Sequence, residues 1–434
     1  MALSSPDEPG DAPGYPNLRH IRLLEAAVRL QSISLGADAV HISQPAASQA
    51  LAKLERIFGV KLLERQGNGI CATPEGEIVN RRGQRALDHI REATQRISAK
   101  SRMARGLAYD RLESRATITH LRALQAFSET GSFTAAASYL SQTEPSVQRA
   151  AREIERIGGV PLFEGSHRNI FLTPEGSLVA AKASLALREI DTAHEELREH
   201  AGLFDGRLLI GTLPLARTSI VPTAVVDAVA SYPRARVEIL DGSYDTLAHL
   251  LSIGRIDMLI GALREEELPK GLRQLPLFED ELSIIARADH PLVRVGRPTT
   301  EDLTAFPWVV ARAGTPNRAI FDRLSESMRL NRGGEGYIET GSLVALRGIL
   351  KESNYLTLLS KHQVSWELES GALAVVEFPV PDTARTIGLT TRKGWEETRL
   401  QKDFIAALRR SVAKRVDPRF IVPTHAPVHA LAKR

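Results

Sequence analysis

A single cysteine, Cys71, among 434 residues rules out an intrachain disulfide and fits a reducing compartment. No apolar run approaches the ~18 residues of a membrane helix. The opening MALSSPDEPGDAPGYP has neither the basic start nor the apolar stretch of an export signal. It reads as a disordered leader over residues 1–16, and the expected location is cytoplasmic. Signals for chemistry are also missing: there is no GxSxG, no phosphate-binding loop and no dinucleotide fingerprint. HEELREH at 194–200 is close to a zinc-protease helix, but its two histidines are spaced i, i+6. That spacing sets them about 240° apart on a helix, so they cannot share a metal. Cys71 has no cysteine or histidine pair beside it and reads as buried filler. An enzyme is not expected, nor a catalytic residue, a metal or a cofactor.

What is present is a repeat. SQPAASQALAKLERIFGVKLLER at 43–65 is followed one hundred residues later by TEPSVQRAAREIERIGGVPLFEG at 143–165. Pro45, Ala50, Glu55, Arg56, Ile57, Gly59, Val60, Leu62 and Glu64 recur without a gap, nine of 23 positions. His20, Arg22, Leu24, Ala26 and Ser32 recur at 120, 122, 124, 126 and 132, and TPEG at 73–76 returns at 173–176. Two copies at so long a period imply paired domains, because a solenoid needs several short repeats to bury its faces. The copies differ in charge: residues 17–110 hold 15 Lys/Arg against nine Asp/Glu, residues 111–205 ten against 13. An excess of basic residues suits an anionic partner for the first copy only.

Each copy predicts three helices and a hairpin. In HIRLLEAAVRL, Ile21, Leu24, Ala27 and Val28 mark an amphipathic helix. SLGADAV, or FTAAASYL in the second copy, gives a short second helix. Ser43 and Thr143 are placed as N-caps with Pro45 and Pro145 in the first turn. The third helix should bury Ala47, Leu51, Leu54 and Phe58, leave Gln44, Ser48, Gln49, Lys53 and Arg56 to solvent, and stop at Gly59. LLE at 62–64 and ICAT at 70–73 then form a wing. This is a winged helix-turn-helix layout, whose third helix can enter the major groove. Gln suits adenine, Ser several bases, and basic neighbours suit phosphate. A protein-binding helical module, or a merely solvated face, fits the same pattern.

SQPAASQALAKLERIFGVKLLER, together with GSFTAAASYL, GGVPLFE and LTPEG in the second copy, resembles the DNA-binding domain of LysR-type transcriptional regulators. The resemblance covers residues 18–412. It implies a bacterial regulator with a winged domain, a long dimerisation helix and an effector domain like periplasmic binding proteins. The family normally has one winged domain, so the duplication is a departure. Gln44, Pro45, Ser48, Gln49, Lys53, Arg56 and Arg65 are the expected DNA-binding residues. The second copy puts Glu144 and Gln148 where the first has Gln44 and Ser48, so it is expected to act as spacer and dimerisation element. A weaker second DNA contact through Arg149, Arg152 and Arg168 is the alternative.

Each TPEG opens a helix. In SLVAAKASLALREIDTAHEELREH, Leu178, Ala181, Leu185, Ile190, Ala193 and Leu197 form an apolar stripe suited to a coiled-coil linker. The first, near 75–105, is basic enough to lie against DNA. Packing on its own domain is the alternative for each.

From Gly206 the strands RLLIGTL, ARVEIL, DMLIGAL, LSIIARA, WVVARA, YLTLLS and TIGLTT alternate with helical stretches, predicting α/β units and a mostly parallel sheet. GRLLIGTLP, YPRARVEILDGSYDTL and ARADHPL resemble the LysR effector domain. Two subdomains joined by strands crossing near 279 and 384 are implied, with a ligand in the cleft. Helix N-termini attract anions there. Thr218, Ser219, Ser243, Thr315, Asn317, Thr340 and Ser342 are therefore the pocket candidates, with ordinary N-capping as their other reading.

The expected fold is multidomain: two helix-rich winged helix-turn-helix domains with linker helices, at 17–108 and 117–203, then an α/β periplasmic-binding-protein-like effector domain of two subdomains at 206–413. A basic, disordered tail follows at 414–434. The expected partners are double-stranded DNA, a small, anionic effector and further copies of the chain as homodimer or tetramer, with RNA polymerase a candidate. The alternative is a small-molecule sensor acting through protein partners, its winged domains used for assembly.

Overall fold

A computed structural model describes residues 14–67, 69–100, 112, 114–166, 169–264, 268–328, 330 and 336–423. The chain forms two compact units: one holds the residues up to Arg207 with Arg234–Arg236 and Ser252–Arg255, the other the remainder.

In the first unit the same order of elements occurs twice. Helices α1 (Leu18–Leu30), α2 (Ile33–Ala39) and α3 (Gln44–Phe58), a hairpin of β1 (Leu63–Gln66) and β2 (Gly69–Ala72), and helix α4 (Pro74–Lys100) make the first run. Helices α5 (Ile118–Thr130), α6 (Phe133–Leu140) and α7 (Glu144–Gly158), hairpin β3 (Phe163–Ser166) and β4 (Asn169–Leu172), and α8 (Pro174–His200) make the second. Ser32 and Ser132 cap α2 and α6 by accepting from the Leu35 and Ala135 amides. Ser43 and Thr143 do not cap α3 and α7 through their side chains, contrary to the sequence expectation. Pro45 and Pro145 occupy the first turn, where a missing N–H leaves no orphan to satisfy. Gly59 and Gly159 end these helices in the left-handed region, at φ of 73° and 64°.

The repeated TPEG has a physical reason. Thr73 donates to the Lys61 carbonyl at 2.6 Å and accepts from the Gly76 amide at 2.9 Å, so it caps α4 and ties it to the hairpin. A side chain at Gly76 would meet the Leu62 carbonyl oxygen at 2.0 Å, and one at Gly176 the Leu162 oxygen at 2.0 Å. Thr173 repeats both hydrogen bonds.

Helices α4 and α8 pack side by side and antiparallel, with Glu75 near His200 and Glu92 near Lys182. Arg81, Arg82 and Arg85 of α4 face α8, while Arg91 and Arg96 pair with Asp88 and Glu92 of α4 itself. On α8, Leu185, Ile190, Ala193 and Leu197 are buried, Leu178 and Ala181 only partly. Tyr15 corrects the end of the supposed leader: its hydroxyl donates to Asp191 at 2.9 Å and the Arg122 guanidinium lies 5.0 Å from its ring. Residues 1–13 of that leader lie outside the described residues.

His194 stacks on Phe58 at the end of α3, ring centroids 4.5 Å apart. Burial, aided by the charge of Arg198, pushes its pKa down from 6.5 to about 4. The unfolded chain takes up this proton near pH 6.5 and the folded unit only near 4, so stability is full above 6.5 and falls across that window. The expected loss is up to roughly 2–3 kcal/mol by pH 4. Urea midpoints of the full chain between pH 7 and 4 check it; His194→Phe, which keeps the stack, should abolish this component.

The second unit holds two five-stranded sheets. One has the order β6 (Arg236–Asp241), β5 (Arg207–Thr212), β7 (Met258–Ala262), β14 (Arg385–Arg392), β8 (Leu272–Asp280). The other runs β11 (Ile338–Glu339), β10 (Trp308–Val310), β12 (Leu356–Ser360), β9 (Leu282–Arg287), β13 (Leu373–Val376). Pairs β5/β7, β10/β11 and β10/β12 are parallel, while β9/β12, β9/β13, β7/β14 and β8/β14 are antiparallel. The sheets are thus mixed, not mostly parallel, because strands that cross between sheets return in the opposite sense. The chain crosses at Glu281 and again over 377–384. β8 had no strand signature: Pro276 interrupts it and sits opposite Gly388, where the register slips.

The basic tail is ordered further than expected. The last long helix reaches Arg415, Ile421 bridges to Phe278 and Val422 is buried. Residues 424–434 lie outside the described residues. Among the described residues no helix is long and apolar enough to cross a membrane, and no cluster of three or more His, Cys, Asp or Glu could hold a metal. Cys71 is not buried filler; it is partly exposed on β2, its thiol donating to Glu64 at 3.6 Å.

Candidate nucleic-acid interface

The helix α3 buries Ala47, Leu51, Leu54 and Phe58 and exposes Gln44, Pro45, Ser48, Gln49, Lys53 and Arg56. Arg65 is exposed on β1. Among the described residues no hydrogen bond or ion pair engages the side chains of Gln44, Ser48, Gln49 or Lys53, and Arg56 reaches only the Ala52 carbonyl at 3.4 Å. These polar groups are therefore uncommitted, as a base-reading surface requires. Burial pushes the His20 pKa down, and the nearby charges of Lys53 and Arg19 push it the same way.

The corresponding face of α7 is spent on itself. Glu144 accepts from the Thr134 hydroxyl at 2.8 Å, and Arg156 is held by Glu153 at 2.5 and 2.8 Å. Arg152 pairs with Glu155 at 3.0 Å and lies over the Phe163 ring at 4.8 Å. Of the three arginines predicted for a second contact, Arg149 is exposed, Arg152 is folded back, and Arg168 lies outside the described residues. One exchange carries much of the contrast. Where α3 has Lys53, α7 has Glu153, which neutralises the arginine three residues on.

In the second unit the pocket candidates divide. Ser243 and Ser342 accept from the Thr246 and Ala345 amides, and Thr315 donates to the Arg312 carbonyl and accepts from the Arg318 amide. These are caps, the plainer of the two readings. Thr340 accepts from the Ser342 amide at 3.1 Å. Among the described residues the buried Thr218 hydroxyl oxygen has no partner, and the buried Ser219 precedes the helix Ile220–Val229 without capping it through its side chain. Asn317 accepts from Arg385.

That last contact leads to a cluster the sequence reading missed. Asp280 is buried at the first crossing, where it accepts from the Ser360 hydroxyl at 2.6 Å and from two Arg385 nitrogens at 2.9 and 2.8 Å. Arg385 opens β14 at the second crossing. An acid and a base flanking the two predicted crossing points were the available signal. Asp280→Asn leaves the Arg385 guanidinium half-satisfied in a buried place and is expected to cost about 3 kcal/mol, read as a lower urea midpoint by tryptophan fluorescence.

The family described as the LysR substrate binding domain matches residues 201–413, and the bacterial regulatory helix-turn-helix protein, lysR family, matches residues 18–77 and again 118–177. The chain is 29% identical over 399 residues to the HTH-type transcriptional regulator GalR of Pseudomonas putida, covering 92% of this chain and 98% of that protein. It is 24% identical over 312 residues to the regulator PcaQ of Agrobacterium fabrum, covering 71% and 99%. A full-length OxyR from Pseudomonas aeruginosa superposes with a TM-score of 0.53 at 21% identity, over 72% of this chain and 99% of that one, a likeness of fold.

Proposed function

The chain belongs to the LysR family of ligand-responsive, DNA-binding transcriptional regulators, a family not of enzymes, and on that premise we propose that it carries two duplicate winged helix-turn-helix domains of which the first reads DNA. The observation that carries this reading is the contrast between α3, with Gln44, Ser48, Gln49 and Lys53 uncommitted, and α7, where Glu144, Arg152 and Arg156 are engaged by Thr134, Glu155 and Glu153. In the major groove, Gln44 and Ser48 would meet base edges while Lys53, Arg56 and Arg65 meet phosphates. The functional modules are residues 17–108, 117–203 and 206–413. The effector is a small anion bound between the two sheets of the second unit, supported by the free Thr218 hydroxyl and by Ser219 ahead of a helix N-terminus. The protein works in the cytoplasm as a homo-oligomer, and RNA polymerase is the partner through which a bound oligomer alters transcription.

A footprint on DNA upstream of its own gene, repeated over a range of salt, tests the reading. Protection should weaken steeply as salt rises, and Lys53→Ala should reduce the slope of log K against log salt by about 1. Binding that is absent, or insensitive to salt, would favour a sensor that acts through protein partners.

A further inference from the structure

The residues that join α4 to α8 are not interchangeable between the two runs. The buried Arg82 guanidinium lies between Glu189, at 2.9 Å, and Glu196, at 2.5 and 3.2 Å. Arg85 reaches Glu189 at 2.9 Å, Arg81 reaches Glu196 at 2.6 Å, and Lys182 reaches Glu92 at 2.5 Å. One hundred residues earlier, the positions of Glu189 and Glu196 are held by His89 and Arg96. We infer that α4 is built to pair with α8 of its own chain and to refuse α4 of a second copy, so that each chain is a complete DNA-binding unit with two unlike heads.

The sums of paired positions, 82 with 189 and 196, 92 with 182, 75 with 200, lie close to 275. Two α4 helices in the same antiparallel register would therefore pair positions that sum to about 175. Arg81, Arg82 and Arg85 of each would then face His89 and Arg96 of the other, with Glu92 the carboxylate left to answer them. Asp88 does not help, because it is exposed and held by Arg91 on its own helix. Two α8 helices would set Lys182 against both Glu189 and Glu196, leaving a carboxylate unmatched on each side. Only the mixed pair gives the buried Arg82 two acids; in the α4 pair one Glu92 answers three arginines. Burying a guanidinium without a carboxylate is strongly unfavourable, and such like-charge contacts are how helix pairs reject wrong partners.

If α3 is the DNA reader, as proposed above, the pairing fixes it beside a different head, so each chain contributes one α3 half-site and not two. The pairing itself is tested without DNA. Carbodiimide joins a lysine to a carboxylate in direct contact, so treatment of the full wild-type chain should create a Glu92–Lys182 amide. Mass spectrometry of bands from a denaturing gel should find it in the band of one chain's mass, and Glu189→His/Glu196→Arg, which gives α8 the charges of α4, should abolish it. Finding the amide confined to a two-chain band, finding it in no band, or retaining it undiminished in the charge variant would overturn the inference. A missing footprint with the amide present would instead count against the DNA-reading assignment alone.

Discussion

Replacing Glu189 and Glu196 together with glutamine is expected to destabilise the first unit by roughly 3–5 kcal/mol, because it removes both carboxylates that hold the buried Arg82. The loss can be assigned to one unit by choice of probe. The chain's three tryptophans, Trp308, Trp366 and Trp395, all lie in the second unit. The first unit is mostly helix, so its unfolding shows in far-ultraviolet circular dichroism. In the wild type, both signals follow urea to their own midpoints. In the double variant the dichroism midpoint should fall by about 1–5 M, taking m near 1–3 kcal/mol per M, while the fluorescence midpoint stays in place. A shared shift would mean that the two units unfold as one. The same ion cluster sets an acid limit. Burial alone would raise the Glu189 pKa, but hydrogen bonds from His89 and Arg85 and the charges of Arg82 and Arg85 hold it well below the carboxylate range. Its contribution is therefore present above its unfolded value of 4.5 and is lost as pH falls below that. His194 acts earlier, from pH 6.5 downward.

The local pattern of each element was legible in the sequence, and what depends on register between distant elements was not. Ala47, Leu51, Leu54 and Phe58 repeat at helical spacing, and the structure buries all four. Ser43 misled because an N-cap position and a capping hydrogen bond are different things: with Pro45 behind it the turn begins without the bond. β8 and β13 were missed because pairing with a neighbour, not alternation along the strand, makes them strands. Seven candidate pocket residues were chosen by one rule, helix N-termini, and that rule cannot separate a cap from a ligand group. The α4–α8 network involves residues ninety or more positions apart, and no periodicity fixes how two helices slide past each other. Yet a trace of it lay in the repeat itself. Positions 53, 89 and 96 are basic in the first copy and acidic in the second, while 88 and 91 show Asp88 against Arg188 and Arg91 against Asp191. At 89 and 96 the change is used in the contact itself, where Glu189 and Glu196 hold Arg82.

That reversal also sets the expected division of labour on DNA. Gln44→Ala/Ser48→Ala should cut affinity about 10- to 100-fold or more and abolish protection at moderate salt, each well-placed base contact being worth roughly 1–3 kcal/mol. Because neither residue carries charge, the salt slope should not change, which separates lost base contacts from lost phosphate contacts. Glu144→Ala/Gln148→Ala should leave the footprint nearly unaltered. Glu144 is already engaged by the Thr134 hydroxyl, and Arg152 and Arg156 by Glu155 and Glu153, so α7 has little to offer a base edge. Glu153→Lys makes the complementary case: it frees Arg156 and restores the basic residue found at position 53, so the salt slope should steepen by about 1–2 if α7 lies within reach of the backbone. If instead the second pair of alanines shrinks the footprint as the first does, both heads read bases, and the protein recognises a longer composite element in which the carboxylate of Glu144 accepts from a cytosine amine.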